Sequence, residues 1–394
     1  MVASSAVQNG SKTNGTSGVL PDKKTRVLIY GVGAVGAIYA SLFLAHPEKY
    51  HVTLLARSNH TALSTNGITI TSVGRFGWNN SVFRPNGGVY DSFDSLKNSA
   101  DYQPYDILLI TTKWQPYLAA SVPKDVVKDD GLCVLIQNGV GIEESFFQHF
   151  NGFPSTEVTA DHQPRVHLIS GVIYIIASQP SPGVFLHGAD REFIYFGLYP
   201  EPPMDPKHWG DEVPPSDTYI PSLPLTESTP EPLRRAIETF LSIGSDARLP
   251  PSLQTERWRK CVWNGTFNVM CALTGLDSKG VLAQGPSMES TLRRLGKEIE
   301  VVAKAIGVHT YDAVEEAVIN DARRLPGFEP SMLQDVRAGR EMEVEGFCGN
   351  VVRLGKGKGV EVGVMESMYV LLTAMNQKFI EKRKQSGLQS PVLN

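Results

Sequence analysis

The chain has 394 residues, of which 41% are hydrophobic, and this is enough for two domains with buried cores. Its 37 basic and 41 acidic residues give a formal charge of −4. Without a dense basic run, this balance excludes nucleic acid and anionic membrane surfaces as expected partners. The four cysteines lie apart and lack metal-ligand spacing, so we expect reduced core thiols and no metal site at Cys133, Cys261, Cys271 and Cys348.

The first 24 residues are rich in serine, asparagine, glycine and threonine. They contain neither the apolar core of a secretory signal nor an arginine, which is typical of a mitochondrial presequence. We therefore expect a disordered tail at 1–24, a second tail at 386–394, and a cytoplasmic location by default, with a mitochondrial one left open.

A glycine motif follows the apolar run Val27-Leu28-Ile29-Tyr30 and opens a stretch with helical character. Its residues are Gly31, Val32, Gly33, Ala34, Val35 and Gly36. In a strand-turn-helix unit the first glycine permits the turn, the second lets a pyrophosphate approach the backbone, and the third lets helix and strand pack closely. A P-loop needs Gly-Lys-Ser/Thr at its end, whereas Ala37 follows here, so the motif favours dinucleotide binding of the Rossmann kind.

The second predicted strand, 50–55, ends in Ala56-Arg57-Ser58. About 20 residues past the glycines, an NAD-binding protein usually places an acidic residue that accepts hydrogen bonds from the ribose. Arg57 instead offers a charged fork that matches a 2′-phosphate, so we interpret the cofactor as NADP(H). A solvated arginine at a strand end is the alternative.

Two further apolar runs, 107–110 and 132–136, each end in polar residues. Helix-like segments alternate with these runs, which is typical of a mostly parallel sheet covered on both faces. Ligands of such sheets bind beyond the carboxyl ends of the strands, where Lys113 and Asn138 fall. An ordinary turn at Asn138-Gly139 is the alternative.

We divide the chain into a Rossmann domain at 25–250 and a helical domain at 251–385. Strand-like runs at 169–174 and 192–196 extend the first domain, and repeated prolines at 200–232 indicate a loop insertion. After Pro251 most of the sequence has helical periodicity.

The helical half carries a stripe of three polar residues, Lys260, Asn264 and Asn268, at helical spacing beside large apolar residues. A lysine on such a face is most often a surface cation, but two amides at matched spacing favour a site.

A later segment, from Ser331 to Phe347, predicts one helix with Met332, Val336, Gly339, Glu343 and Phe347 on a shared face. A carboxylate on an apolar face needs a partner, so Glu343 is expected to meet a cofactor hydroxyl, a lysine or a substrate group. An internal ion pair with an arginine is the alternative.

Together these segments resemble the ketopantoate reductase (2-dehydropantoate 2-reductase) family from about Thr25 to about Lys384. The resemblance implies an α/β Rossmann domain with a doubly wound sheet, followed by an all-α domain like that of 6-phosphogluconate dehydrogenase. It assigns cofactor contacts to the glycine loop, Arg57, Lys113, Asn138 and Glu343. It assigns proton donation to Lys260.

The resemblance further implies that hydride passes from NADPH to the ketone of a small 2-oxo acid, with no metal required. The substrate would be held by five side chains: Asn138, Lys260, Asn264, Asn268 and Ser331. The implied reaction is ketopantoate reduction in pantothenate and coenzyme A synthesis, and a homodimer is possible.

Three segments on the substrate side depart from the family pattern: Phe328-Glu329-Pro330, Leu276-Asp277-Ser278 and Val362-Gly363-Val364-Met365. They leave open a relative that reduces another 2-oxo acid, a carbonyl or an imine. A non-catalytic NADP(H)-sensing regulator is the third hypothesis, and Lys260, Asn264 and Glu343 together argue against it.

Overall fold

The structure is a computed structural model, and it describes residues 24–202, 220 and 222–385. The predicted tail at 1–24 (apart from Lys24), the predicted tail at 386–394 and residues 203–219 and 221 of the predicted insertion lie outside these residues.

The first half of the described chain is built around one sheet. Its strands are β1 (Thr25–Tyr30), β2 (Tyr50–Leu55), β3 (Ile68–Ser72), β4 (Ser81–Phe83), β5 (Val89–Tyr90), β6 (Tyr105–Ile110), β7 (Val127–Leu135), β8 (His167–Ser181), β9 (Val184–Tyr199) and β10 (Ala247–Arg248). Their order is β4-β3-β9-β8-β7-β6-β1-β2-β5, with β10 against β9. All pairs are parallel except β3 with β4 and β8 with β9. The mostly parallel sheet confirms the predicted Rossmann-type half.

Helices cover both faces of this sheet, which explains why its central strands are apolar throughout. The helices of this half are α1 (Ala34–Leu44), α2 (His60–Asn66), α3 (Phe93–Lys97), α4 (Glu143–Asn151) and α5 (Glu231–Ser242). Side chains alternate between two cores: Val27 and Ile29 pack on one face, and Leu28 and Tyr30 on the other. Burial of this kind contributes about 25 cal/mol per Å² of apolar surface.

The strand order reverses at β1, with β2 on one side and β6 on the other. Such a reversal leaves a crevice beyond the carboxyl ends of the strands. The glycine loop follows β1, Lys113 follows β6 and Asn138 follows β7, so the topology gathers these segments at one edge.

The second half is helical. It contains α6 (Leu253–Trp263), α7 (Val269–Thr274), α8 (Ser278–Leu282), α9 (Pro286–Ala305), α10 (Val314–Arg324), α11 (Ser331–Arg337), α12 (Asn350–Gly357) and α13 (Gly363–Gln385). Two π-helical turns, Asn264–Asn268 and Glu345–Gly349, continue α6 into α7 and lead into α12. A core centred on α9 holds this half together, with Leu292, Leu295 and Ile299 fully buried.

The predicted single helix from Ser331 to Phe347 is wrong. Helix α11 ends at Arg337, and Gly339 adopts a positive φ of 63°. A glycine with this backbone conformation commonly terminates a helix. The Arg340 N–H then donates to the Asp335 carbonyl over 2.8 Å. Glu343 therefore lies in a connecting segment and not on that helix.

The four cysteines are buried and free, as the sequence predicts. Strands β3, β4 and β5 were not predicted, because they are short and lack a strong apolar run.

Candidate active site

The glycine loop has the shape that a diphosphate requires. Gly31 has a φ of 98°, and a Cβ atom on Gly36 would lie 2.1 Å from the Gly31 carbonyl oxygen. A Cβ atom on Gly33, in contrast, would meet nothing within 4 Å. The first turn of α1 holds no acidic side chain, and no side chain caps its N-terminus. Its N–H groups are thus available to an anion, and the loop fits a dinucleotide.

Arg57 lies just beyond the end of β2 and is exposed to solvent. Two residues on, the Asn59 amide donates to the Val32 carbonyl over 2.7 Å, and Gln179 donates to the Asn59 side-chain oxygen. These bonds fix the turn that carries Arg57 against the glycine loop. The exposed guanidinium could bind the 2′-phosphate of NADP(H), and it would be equally exposed if Arg57 were only a solvated residue at the end of a strand.

Lys113 connects the two halves of the chain. Its ammonium donates to Asp335 Oδ2 and to the Glu341 carbonyl, each over 2.5 Å. Because Asp335 belongs to α11 and Lys113 follows β6, this contact spans the cleft between the sheet and the helices.

The loop after β7 forms a tight turn that is packed between the halves. Gly139 has a φ of 97°, and a Cβ there would lie 2.7 Å from the Gly346 carbonyl oxygen. The Gln137 amide donates to the Thr112 carbonyl over 2.8 Å. Among the described residues, the buried Oε1 atom of Gln137 has no hydrogen-bond partner, so it is an available acceptor at the cleft.

Lys260, in the last turn of α6, reaches the sheet across the cleft. Its Nζ atom donates to Asn138 Oδ1 over 2.8 Å and also to the Ile173 carbonyl. The ring centroid of Tyr174 lies 5.2 Å from Nζ. Burial, assisted by the nearby Arg257 charge and opposed by Glu343, lowers the pKa of Lys260 to about 7. A lysine with this pKa exchanges protons at neutral pH.

A small, partly open cleft surrounds this contact. Its walls come from the loop after β7, from β8, from α6 and from the π-helical turn that follows α6. They comprise Gln137, Asn138, Gly139, Val172, Arg257, Lys260 and Asn264. The structure thus brings Asn138, Lys260 and Asn264 into one space.

Asn268 and Ser331 form a neighbouring cluster. Asn268 Oδ1 accepts from the Ser331 hydroxyl and from the Met332 N–H, over 3.1 and 3.0 Å. Its Nδ2 donates to Asn264 Oδ1 over 3.0 Å. Asn268 therefore supports the first turn of α11, and it links that turn to Asn264 in the cleft.

Glu343 is nearly buried and lies behind Asn138. Its carboxylate accepts from the Trp114 N–H over 3.3 Å, and in the described part of the chain no arginine forms an ion pair with it. Burial raises the pKa of Glu343, while Lys113, the Trp114 N–H and the Asn138 carboxamide oppose that shift. Lys260, Asn138 and Glu343 therefore form a polar row across the cleft.

One of the departures from the family pattern has a role in the fold. Ser278 is fully buried, its N–H donates to the Phe328 carbonyl, and its hydroxyl accepts from the Phe328 N–H over 3.1 Å. The Ser278 hydroxyl thus holds the Phe328 segment in place.

Two residues near Lys260 were missed from the sequence. Arg257 and Glu143 form a buried ion pair, with Nε and Oε1 separated by 2.8 Å. The one available signal was the position of Arg257, a second cation one helical turn before Lys260. Glu143 gave no signal, because its partner lies over a hundred residues away in the sequence.

The fold and the cleft define a dinucleotide-binding protein with a polar site between a Rossmann-type half and a helical half. Two family models match the chain, "Ketopantoate reductase PanE/ApbA" over residues 27–201 and "Ketopantoate reductase PanE/ApbA C terminal" over residues 252–376. The chain belongs to the ketopantoate reductase family, and the resemblance predicted from the sequence is confirmed. Members of this family are oxidoreductases that act on C=O and CH–OH groups.

Individual relatives are distant but extend over nearly the whole chain. An uncharacterized protein of Saccharomyces cerevisiae is 25% identical, covering 91% of this chain and 96% of its own length. The crystal structure of 2-dehydropantoate 2-reductase from Methylococcus capsulatus is 26% identical, with a TM-score of 0.66, covering 90% of this chain and 97% of its own. D-mandelate dehydrogenase, solved with NADH and anilino(oxo)acetate, shares the fold at 15% identity and a TM-score of 0.67, covering 90% and 99%. Members of the family bind nicotinamide nucleotide cofactors.

Among the described residues, no group of three or more His, Cys, Asp or Glu side chains could hold a metal ion. None of the helices in the described ranges is long and apolar enough to cross a membrane.

Proposed function

We propose that this chain is an NADPH-dependent reductase of a 2-oxo acid, with ketopantoate as its first candidate substrate. The observation that carries the proposal is the contact between Lys260 and Asn138 in a cleft beside the glycine loop. Family membership supports the reaction class.

Most of the residues that would hold the cofactor lie at the carboxyl ends of four strands, β1, β2, β6 and β7. The open space at Gly33 and the free N-terminus of α1 suit the diphosphate, and exposed Arg57 suits a 2′-phosphate. Lys113, Asn138 and Glu343 would meet the part of the cofactor that reaches the cleft. When bound, the cofactor supplies a hydride from C4 of the nicotinamide.

Lys260 would stabilise the negative charge that develops on the substrate oxygen and give it a proton. Its pKa of about 7 leaves a large fraction of the side chain protonated at neutral pH. Asn138 holds the ammonium from the sheet side, and Asn264 lies one turn further on, at the start of the π-helical turn that follows α6. These amides would orient the 2-oxo acid, with Asn268 and Ser331 supporting Asn264 and the start of α11.

A second candidate is a 2-oxo acid with an aromatic or bulky apolar substituent. Tyr174 places its ring beside Lys260, and it stacks on Phe193 with ring centroids 4.7 Å apart. For a substrate bound at Lys260, this ring would contact an apolar substituent more favourably than a polar one. The cytoplasmic location and the homodimer stay predictions.

The test is NADPH oxidation by the purified chain with ketopantoate and a panel of 2-oxo acids that includes phenylglyoxylate. With NADPH deuterated at C4, the label should appear at C2 of the product. At least one substrate should reach a kcat/KM above about 10⁴ M⁻¹s⁻¹, which is ordinary for an enzyme. Tight NADPH binding without turnover of any member would favour the regulator hypothesis instead.

A further inference from the structure

Arg257 lies in α6, one helical turn before Lys260, and only 3% of it is exposed. Its side chain enters the Rossmann-type half. One guanidinium nitrogen, Nη1, donates to the carbonyl oxygens of Gln137 and Gly139 over 3.0 and 2.8 Å. These are the two carbonyls that flank Asn138, the residue whose side chain meets Lys260.

The other side of the guanidinium is anchored in the sheet. Nη2 donates to the Ser170 hydroxyl over 2.6 Å and to the Gly171 carbonyl over 3.0 Å. Nε lies 2.8 Å from Oε1 of Glu143, which is 2% exposed and also accepts from Ser170. A buried cation must be paired and hydrogen-bonded, and Arg257 meets both conditions.

The loop around Asn138 needs such an anchor. Gly139 has a positive φ, and a glycine turn is intrinsically permissive. The far side of the loop is held at Val140, whose N–H donates to Gly346 and whose carbonyl accepts from Asn350. Arg257 binds the near side, where Asn138 projects.

We propose that Arg257 is a positioning residue, which clamps the backbone on both sides of Asn138 so that its carboxamide oxygen faces Lys260. The expected effect of this residue on the reaction rate rests on the proposed function. Because one helix carries both Arg257 and Lys260, the clamp and the lysine keep a fixed separation of one turn. A rigid planar fork suits several fixed acceptors, whereas a lysine ammonium cannot match them.

Arg257 also acts on Lys260 through its charge. The titratable or charged groups that face Lys260 in the described structure are Arg257 from its own helix, Glu343 from the segment before α12, and Tyr174 from β8. Arg257 lowers the pKa of Lys260, and Glu343 opposes it. Removal of the Arg257 charge should therefore move that pKa upward.

The test compares Arg257→Lys with a matched control, Arg259→Lys. Both changes keep the positive charge on α6. Arg259 binds Glu256 over 2.8 Å, and none of its hydrogen bonds with the described residues reaches the loop. We measure hydrogen–deuterium exchange of residues 136–141 without substrate, and then kcat and KM with NADPH and the best 2-oxo acid.

Arg257→Lys should speed exchange of the loop and lower kcat by at least about 10-fold, because small misplacements of catalytic groups are costly. The KM for NADPH should change little, and Arg259→Lys should resemble the wild type in both measurements. Wild-type loop exchange in a folded Arg257→Lys variant would overturn the proposal, whatever the activity. Faster exchange with an unchanged kcat would also overturn it, since the clamp would then not serve the reaction.

If Arg257→Lys does not fold, Ser170→Ala removes one acceptor of the clamp and keeps the ion pair. Faster loop exchange is expected there too, and unchanged exchange would contradict the clamp. Because exchange is measured without substrate, absence of turnover in the wild type would contradict the proposed function and leave the exchange test decisive.

Discussion

The Nζ atom of Lys260 donates a hydrogen bond to Oδ1 of Asn138 over 2.8 Å, from the helical half to the loop that follows β7. The two residues are 122 positions apart in the sequence. Neither half of the molecule contains the site alone, since the sheet supplies the amide and the helices supply the ammonium. Their relative placement therefore determines the chemistry.

The glycine loop offers a paired test of binding against stability. Gly33→Ala should leave the melting temperature nearly unchanged, because its Cβ meets nothing within 4 Å, but it should weaken NADPH binding by obstructing the diphosphate. Gly36→Ala should lower the melting temperature, because its Cβ would lie 2.1 Å from a backbone oxygen. Thermal unfolding and a fluorescence titration with NADPH measure both effects. Equal stability of the two variants would mean that the loop relaxes around a side chain.

Arg57→Ala should weaken NADPH binding by about 1.5–3 kcal/mol, the contribution of a hydrogen bond to a charged group. NADH has no 2′-phosphate, so its affinity should barely change. The control is Arg84→Ala, another exposed arginine of the same half, which donates to the Thr65 carbonyl. Isothermal titration with each dinucleotide measures the two affinities. An equal loss of affinity for NADPH and NADH would mean that Arg57 does not bind the 2′-phosphate.

Lys260 predicts the pH dependence of the reaction. Its lowered pKa of about 7 means that the ammonium dominates below that pH and the neutral amine above it. Reduction consumes a proton from the ammonium, so kcat/KM for reduction should fall as the pH rises through about 7. Oxidation of the alcohol needs the amine as a base and should rise over the same interval. Profiles that are flat across this range in both directions would remove Lys260 as the proton donor.

Asn264 and Asn268 should differ in what they support. Asn264→Ala removes an amide from the cleft wall and should raise the KM of the 2-oxo acid, with a smaller effect on stability. Asn268→Ala removes the acceptor of the Met332 N–H at the start of α11, and such contacts are worth about 1 kcal/mol. Its main effect should thus be a lower melting temperature. Steady-state kinetics and thermal unfolding of both variants separate the two roles. A lower melting temperature for Asn264→Ala together with a raised KM for Asn268→Ala would contradict both assignments.

Local patterns predicted the Rossmann-type half well. The glycine motif lies directly between an apolar strand and a helix, and the strand runs at 27–30, 107–110 and 132–136 are short and continuous. Each of these signals is contained in a few neighbouring residues. The polar residues at the strand ends could be placed because the carboxyl ends of parallel strands share one edge.

The segment from Ser331 to Phe347 shows where periodicity fails. Its apolar residues fit one helical face, but Gly339 ends the helix, and the Arg340 N–H bonds back to Asp335. A glycine within a helical pattern does not reveal from sequence alone whether it is tolerated or terminates the helix. Burial of Glu343 was predicted correctly, although the predicted helix was wrong.

The ion pair of Arg257 with Glu143 could not be predicted, because it joins α6 to the start of α4 across the two halves. Arg257 also binds peptide carbonyls. Every residue carries a peptide carbonyl, so the residue type does not show which carbonyls will accept these bonds. Contacts of this kind depend on how the halves dock, and no short sequence pattern encodes them.

Proton donation by Lys260 is tested most directly by a single-turnover measurement of NADPH oxidation by the wild type and by Lys260→Met, with the 2-oxo acid that is turned over fastest. Lys279→Met, a change of an exposed lysine on α8, is the control. If Lys260 donates the proton, Lys260→Met should slow hydride transfer by at least about 100-fold while NADPH affinity stays within about twofold. A rate near that of the wild type in Lys260→Met would contradict the assignment of Lys260 as the proton donor.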